Sequence, residues 1–215
     1  MTESTATTPT SRLFIAIELP TEALAWCSAA IDRARQELGA SAASVRWVRP
    51  EGIHLTLKFL GEVPIVTEEA IADGLWREIP GLPELDLAIG PAGVFPNVRR
   101  PRAFWLGLLG DLAALSVVQE RVEAVTVPLR FPRDPGPFQP HLTLGRVRES
   151  ARAEDLAAVG RLPVTWPVAA SPAFRVTTVS LIQSQLGPSG ARYTTLTRIP
   201  FATPSTFSSK ETHLA

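Results

Sequence analysis

Apolar residues recur along this chain at two different spacings, and the two spacings predict different elements. Alternation of apolar and polar positions is typical of strands, and it predicts nine of them, at 12–19, 45–48, 53–60, 85–89, 103–109, 141–147, 164–169, 174–183 and 193–199. Spacing of three or four residues predicts helices at 20–38, 67–79, 111–126 and 151–159. Thr67 and Asp111 are the expected N-terminal caps of two helices, and Gly160 is expected to end the last one.

Loops and tails separate these elements. Residues 90–102 are rich in Pro, Gly and Arg, and residues 130–140 are too rich in proline for a helix or strand. The order of elements has no regular strand–helix–strand crossover, so we predict an α+β fold with a mostly antiparallel sheet. The polar ends, 1–11 and 203–215, are expected to be disordered tails of one domain at 12–202.

Composition and charge narrow the class of protein. A chain of 215 residues, 45% of them hydrophobic, can form a substantial core. The 21 basic and 21 acidic residues balance, so a polyanion would have to bind to a local patch. The single cysteine, Cys27, excludes an intrachain disulfide and a cysteine metal cluster. A polar start and the lack of a long apolar run predict a cytoplasmic, soluble protein without a membrane segment, and we expect a monomer.

One tetrapeptide stands out because it occurs twice. The sequence His-Leu-Thr-Leu begins at His54 and again at His141, 87 residues later, and the third histidine, His213, lies near the end of the chain. In a strand, each copy places its histidine and threonine on one face and its leucines on the other. Two copies, one in each half of the chain, predict two lobes related by a pseudo-twofold axis, with the polar faces meeting in a cleft.

Two imidazoles in one cleft can divide acid–base chemistry at a phosphorus atom. The pKa of an ordinary histidine is about 6.5, so a neutral imidazole can accept a proton while a charged one donates a proton to the leaving oxygen. The hydroxyl groups of Thr56 and Thr143 can bind phosphate oxygens. A metal site is the main alternative interpretation of paired histidines, but neither motif has a close Asp, Glu or Cys that would complete a zinc site. We therefore expect no metal and no cofactor.

Several further segments resemble one known family. They are RLFIAI at 12–17, RWV at 46–48, HLTLKFLG at 54–61, PRAFWLG at 101–107, PHLTLGR at 140–146 and SQL at 184–186, followed by Gly190 and Tyr193. Together with the two H-x-T-x motifs, they resemble the two-histidine (2H) phosphoesterase superfamily. The likeness is to its RNA 2′,3′-cyclic phosphodiesterase branch, historically called the bacterial 2′–5′ RNA ligase family, and it runs over nearly the whole chain.

The resemblance implies a bilobal α+β fold, with two mostly antiparallel sheets, helices on the outer faces and a central cleft. It implies that RNA ends or nucleoside cyclic phosphates are substrates, with hydrolysis of a 2′,3′-cyclic phosphate to a 2′-phosphate. His141 would activate water and His54 would protonate the departing 3′ oxygen. Thr56, Thr143 and Arg146 would bind the phosphate. Strict alternation puts Arg146 on the wrong face, so a bend or bulge near Gly145 is required.

Other residues allow two interpretations each. Even spacing from His54 puts Lys58 on the cleft face, either at the phosphate or at a solvated rim. The arginines at 99, 100, 102, 130 and 133 either guide RNA through its backbone phosphates or solubilise their loops. Phe138 and Trp47 either stack on a base or belong to the core.

Two other functions stay open. The cleft could bind a nucleotide or RNA end without turnover, or the same chemistry could act on a small cyclic nucleotide or on ADP-ribose 1″,2″-cyclic phosphate. Ligation through an adenylated lysine is not expected, because Lys58 is followed by Phe-Leu-Gly and lacks the aspartate of the K-x-D-G motif.

Overall fold

A computed structural model describes residues 9–166, 171–187 and 190–202. These residues form nine strands, which are β1 (Thr10–Glu18), β2 (Val45–Trp47), β3 (His54–Pro64), β4 (Leu85–Phe95), β5 (Ala103–Gly110), β6 (His141–Val147), β7 (Phe174–Val176), β8 (Thr178–Gly187) and β9 (Gly190–Pro200). They also form four α-helices, α1 (Thr21–Leu38), α2 (Ile65–Glu78), α3 (Leu112–Thr126) and α4 (Ala153–Thr165). Residues 1–8 and 203–215, where disordered tails are predicted, lie outside the described residues.

The strands form one curled antiparallel sheet in the order β7-β4-β5-β6-β3-β1-β8-β9, with β2 paired to β6. The strand order is symmetric about the boundary between β6 and β3. On either side of this boundary, β6 corresponds to β3 and β5 corresponds to β1. This confirms the predicted α+β class and the two related halves. The halves are joined into a continuous sheet, since Leu55 of β3 pairs directly with Leu142 of β6.

The main hydrophobic core lies on one face of this sheet. Alternate residues of β1 point into it, namely Leu13, Ile15 and Ile17, and all four helices contribute to the same cluster. On the opposite face, Phe14, Ala16 and Ile182 form a small separate cluster without any helix. The helices of the described residues therefore cover one face. We call the opposite face of the curled sheet, where the predicted cleft would lie, the concave face.

Several element boundaries differ from the predicted ones. β1 begins at Thr10, two residues early, and β4 continues to Phe95 through residues predicted to be loop. α2 begins at Ile65, before the predicted cap Thr67. Asp111 is the N-cap of α3, but its carboxylate accepts a hydrogen bond from the Asp86 backbone at 2.8 Å instead of capping the helix.

The fourth helix also runs past its predicted end. Gly160 lies inside α4, where a Cβ atom would collide with the carbonyl oxygen of Val98, so close packing and not helix termination explains this glycine. The strand predicted at 164–169 is wrong over its first residues, because Val164 and Thr165 end α4. Residues 167–170 lie outside the described part of the chain. None of the helices in the described ranges is long and apolar enough to span a bilayer.

Lys58 lies on the core face, so its predicted place on the cleft face is wrong. Ala16 pairs with Thr56 and Ile15 pairs with Lys58, which leaves Leu57 as the extra residue of a β-bulge. The bulge reverses the alternation, and Lys58 is 1% exposed. Its Nζ donates to Glu123 at 3.0 and 3.1 Å and also to the carbonyl oxygen of Pro132. Lys58 thereby ties β3 to α3 and to the proline-rich loop that leads into β6.

Replacing one partner of this buried pair should destabilise the protein strongly. Lys58→Met leaves the Glu123 carboxylate buried without its cation, for which we expect a loss of about 3–5 kcal/mol in the free energy of unfolding. Lys58→Met combined with Glu123→Leu should lose less than Lys58→Met alone, because neither charge stays buried. Urea unfolding measures both. Arg121→Met, which breaks the exposed pair with Glu78 at 3.0 Å, should cost no more than about 1 kcal/mol. Equal losses for Lys58→Met and Arg121→Met would contradict this account.

Candidate active site

The two motif strands adjoin at equivalent residues of the repeat. Leu55 and Leu142 occupy the second position of their motifs, and they pair with each other in antiparallel strands. Leu55 is 1% exposed and Leu142 is fully buried, whereas both histidines and both threonines of the motifs are only partly buried. Continuing the register by one residue sets His54 across from Thr143, and Thr56 across from His141, on the concave face. The two histidines and two threonines of the motifs therefore lie together on one face of the sheet, as predicted.

Each imidazole is held by the same local hydrogen bond. The Nδ1 of His54 lies 2.9 Å from the carbonyl oxygen of Gly52, and the Nδ1 of His141 lies 2.7 Å from that of Gln139. Because a carbonyl oxygen can only accept, Nδ1 carries the hydrogen in both rings. Nε2 is then the nitrogen of each ring that is left to exchange a proton with a substrate.

Aromatic rings surround both histidines. Phe14 stacks on His54 at 4.6 Å between ring centroids, and Tyr193 meets the same ring edge-on at 5.2 Å. Phe95 meets His141 edge-on at 4.9 Å, with Trp105 at 6.0 Å. These rings exclude water from one side of each imidazole and fix its orientation.

This environment favours the neutral form of both imidazoles. Burial is the main cause that lowers the pKa of His54 to about 4, opposed by the Gly52 hydrogen bond and by Glu18. Burial also lowers the pKa of His141, and the positive charge of Arg146 acts in the same direction on both rings. The free site therefore holds two neutral imidazoles close to one cation, an arrangement suited to binding an anion.

A β-bulge turns Arg146 toward the cleft, as predicted. Trp105 pairs with Thr143 and Phe104 pairs with Gly145, so Leu144 is the extra residue. After this bulge, Arg146 is exposed opposite Ala103, on the same face as the motif histidines. Gly145 permits the tight packing of β2 beside it, since a Cβ atom there would lie 2.6 Å from Val45 Cγ1.

Comparison with known protein families agrees with this geometry. The model of the LigT-like phosphoesterases matches residues 26–105 and 110–193 of the chain. The chain belongs to the LigT-like phosphoesterase family. Among its relatives is the RNA 2′,3′-cyclic phosphodiesterase of Methanothermobacter thermautotrophicus, 33% identical over 165 residues that cover 76% of this chain and 86% of that protein. The protein of that name from Thermotoga maritima is 34% identical over 139 residues, which cover 64% of this chain and 70% of the relative.

Solved structures show the same fold. The protein TT0787 of Thermus thermophilus superposes with a TM-score of 0.68 at 26% identity, over 88% of this chain and 97% of that one. Escherichia coli LigT in complex with 3′-AMP superposes with a TM-score of 0.67 at 25% identity, over 91% of this chain and all of the other. The 2H phosphoesterase resemblance inferred from the motifs is thus confirmed.

The residues considered for base stacking in this LigT-like chain belong to its core. Trp47 donates from Nε1 to the carbonyl oxygen of Ala42 at 3.2 Å, and both Trp47 and Phe138 pack against the buried cluster. Two arginines of the 99–102 segment, Arg100 and Arg102, line a surface cavity of about 280 Å³ together with Arg148. The arginines at 130 and 133 lie in the segment preceding β6, and an RNA-guiding role for either group stays a prediction.

Sequence reasoning missed Glu18, Phe14 and Tyr193, which surround His54. Alternation along β1 could have put Phe14 and Glu18 on one face. It could not reveal that Glu18 pairs with His54 and Phe14 with Phe59, because the register depends on the bulges. Tyr193 comes from β9, far along the chain, so only the folded sheet brings it to the site.

The burial of His54 should make this LigT-like protein less stable in mild acid. With a pKa of about 4 when folded and about 6.5 when unfolded, the unfolded chain binds more protons between these values. The free energy of unfolding should therefore fall as the pH drops from about 6.5 toward 4. His54→Gln should flatten this dependence when urea midpoints are compared at pH 5 and pH 7. His213→Gln is the control, and an unchanged slope in His54→Gln would refute the assignment.

Proposed function

We propose that this LigT-like phosphoesterase hydrolyses terminal 2′,3′-cyclic phosphates of RNA to 2′-phosphates, with His54 and His141 as its acid–base pair. The observation that carries the proposal is the matched setting of the two imidazoles. Each has Nδ1 bound to a carbonyl oxygen two residues earlier in the chain and Nε2 left for chemistry. The relatives named RNA 2′,3′-cyclic phosphodiesterase support the choice of substrate.

In the proposed reaction, Nε2 of neutral His141 accepts a proton from water as the water oxygen attacks phosphorus. The bond between phosphorus and the 3′ oxygen breaks, and protonated His54 donates its proton to that oxygen. The products are a free 3′ hydroxyl and a 2′-phosphate, and one proton has passed from water to the leaving group. Thr56, Thr143 and Arg146 bind the non-bridging oxygens, where negative charge is concentrated.

The depressed histidine pKa values are compatible with this scheme once substrate is bound. A cyclic phosphate is an anion, and an anion beside an imidazole favours its charged form. Binding therefore offsets the burial and the Arg146 charge that keep the free rings neutral. The site needs one charged and one neutral imidazole, which is the state reached when one proton enters with the substrate.

The proposal also includes the location, the oligomeric state and the metal requirement that were expected from the sequence. We propose a cytoplasmic, monomeric enzyme that needs no metal. Within the described ranges, no group of three or more His, Cys, Asp or Glu residues is arranged to hold a metal ion. Chelation is therefore built into the experiment that tests the function.

The deciding experiment is hydrolysis of a short RNA ending in a 2′,3′-cyclic phosphate, with EDTA present. We expect wild type to release a 2′-phosphate, and His54→Gln and His141→Gln each to lower kcat by about 10²–10⁴-fold. The double variant should be little worse than either single one, because the residues act as a unit. His213→Gln should match wild type.

Each other outcome of this experiment points to an alternative. Nucleotide binding by folded wild type without turnover would replace the enzyme with a binding module. Turnover confined to mononucleoside cyclic phosphates or ADP-ribose 1″,2″-cyclic phosphate would change the substrate. Activity removed by EDTA would contradict the metal-free mechanism.

Arg146→Met should lower kcat/KM without abolishing the acid–base chemistry. Loss of one charged hydrogen-bond donor to phosphate corresponds to about a 10- to 100-fold fall in kcat/KM. Steady-state kinetics on the same RNA measures it. Arg121→Met, which removes an arginine that is paired with Glu78 on the helical face, controls for the change in net charge. Equal effects of the two substitutions would show that Arg146 acts only through the general field of the protein.

A further inference from the structure

The two halves of the site differ at the residue opposite each histidine. Glu18 of β1 pairs directly with His54 of β3, and Gly107 of β5 pairs directly with His141 of β6. These pairs are equivalent under the pseudo-twofold relation of the sheet. Directly opposed residues share a face, so His54 has a carboxylate on its adjacent strand where His141 has no side chain at all.

The Glu18 carboxylate is fixed by donors from β8 and β9, on the side away from His54. Ser180 Oγ donates to it at 2.7 Å and Thr195 Oγ1 at 3.0 Å. Arg198 donates from Nε at 2.8 Å and from a terminal nitrogen at 3.1 Å. β1 is the neighbour of β3, whereas Arg198 belongs to β9, two strands beyond β1. Of the two charges of this ion pair, the Glu18 carboxylate is the one that acts on His54, where it raises the pKa against the effect of burial.

The remaining charged and titratable groups around His54 do not supply this negative charge. Arg146 and His141 face it from β6, and both lower its pKa. Tyr193 of β9 contributes a neutral phenol at its ring edge. Arg198 lies behind Glu18. Burial raises the pKa of Glu18, but the hydrogen bonds from Arg198, Ser180 and Thr195 outweigh it and lower the pKa, so the carboxylate stays charged near neutrality.

We propose that Glu18 is a positioning residue that directs to His54 the proton that enters with the substrate, and thereby favours His54 as the acid and His141 as the base. The inference rests on the acid–base pair proposed for this site. The two rings have matching hydrogen bonds, but burial lowers the pKa of His54 to about 4. An opposing negative charge is therefore needed if His54 is to take the one proton that enters with the substrate. Glu18 lies beside His54, and Gly107 takes the equivalent position beside His141. This difference directs the proton to His54.

The direct test is an NMR titration of the imidazole nitrogens in a His213→Gln background, which leaves two histidines. It is run between pH 4 and 8 in saturating sodium sulfate, a dianion that does not titrate in this range and that should raise the His54 midpoint above its value of about 4 in the free protein. Glu18→Gln should lower the titration midpoint of His54 by about 0.5–1 pH unit, because an opposite charge one strand away is lost and Arg198 is left. The midpoint of His141 should move by much less.

Asp86→Asn is the matched control. Asp86 of β4 accepts hydrogen bonds from Arg175 on the neighbouring strand at 3.0 and 2.9 Å, so it is paired as Glu18 is. It lies nine residues along β4 from Phe95, which contacts His141. Glu18→Asp, which keeps the charge, should restore most of the His54 midpoint. Equal shifts of His54 in Glu18→Gln and Asp86→Asn would overturn the proposal.

Activity provides a second measurement. In Glu18→Gln, the limb of the pH–kcat profile that belongs to His54 should move toward lower pH, and the other limb should stay. A purely structural role would lower kcat equally at every pH. If Glu18→Gln does not fold, Arg198→Met serves instead, and its His54 midpoint should rise because the carboxylate then lacks its neutralising partner. No rise would count against the proposal.

A substrate with sulfur in place of the bridging 3′ oxygen tests which histidine is the acid. The thiolate leaves without needing a proton, so His54→Gln and Glu18→Gln should recover most of the wild-type rate, and His141→Gln should not. Recovery by His141→Gln alone would reverse the roles and overturn the inference. If wild type hydrolyses no cyclic phosphate, the proposed function fails, and the NMR titration still decides whether Glu18 holds the proton on His54.

Discussion

The pairing of Leu55 with Leu142 is the constraint from which the site follows. It is the point where the two motif strands meet, and it joins the two halves of the sheet. Both leucines are buried, and burial of a leucine side chain stabilises a fold by about 1.5–3 kcal/mol. Because side chains alternate, packing these leucines into the core forces the histidines and threonines next to them onto the concave face. The apolar half of each motif thus determines where its polar half lies.

The two β-bulges are the second structural feature on which the site depends. Each follows an H-x-T segment directly, at Leu57 in β3 and Leu144 in β6. At equivalent positions after the bulges, β3 has Lys58 and β6 has Gly145, both on the core face. One residue later, Phe59 and Arg146 are exposed. The same backbone feature therefore presents an aromatic side chain in one half and a cation in the other.

Much of the fold and the centre of the site could be predicted from sequence, because both depend on local periodicity. Each predicted helix is present, and the H-x-T alternation correctly placed the motif leucines in the core. The prediction for Lys58 failed because a bulge changes the alternation, and bulges depend on pairing with a neighbouring strand. Arg146 was placed correctly only because a bulge was assumed near Gly145. Gly160 was misread because its reason is a contact with Val98, distant in sequence.

In the proposed function, an evenly charged protein binds a phosphate at a site that takes up positive charge when the anion enters. In the free protein, burial lowers the pKa of both histidines, so Arg146 is the cation that acts on both rings. By the proposed mechanism, a bound anion would favour the charged form of an imidazole, so that binding would be accompanied by proton uptake. The resulting imidazolium would be both an electrostatic partner of the phosphate and the proton donor for the leaving oxygen. A permanently charged pair would bind anions more tightly, but it would lack the neutral imidazole that the attacking water requires. On this proposal, burial of two histidines beside one arginine lowers the affinity for free anions and favours the state with one charged and one neutral imidazole, which acid–base catalysis needs.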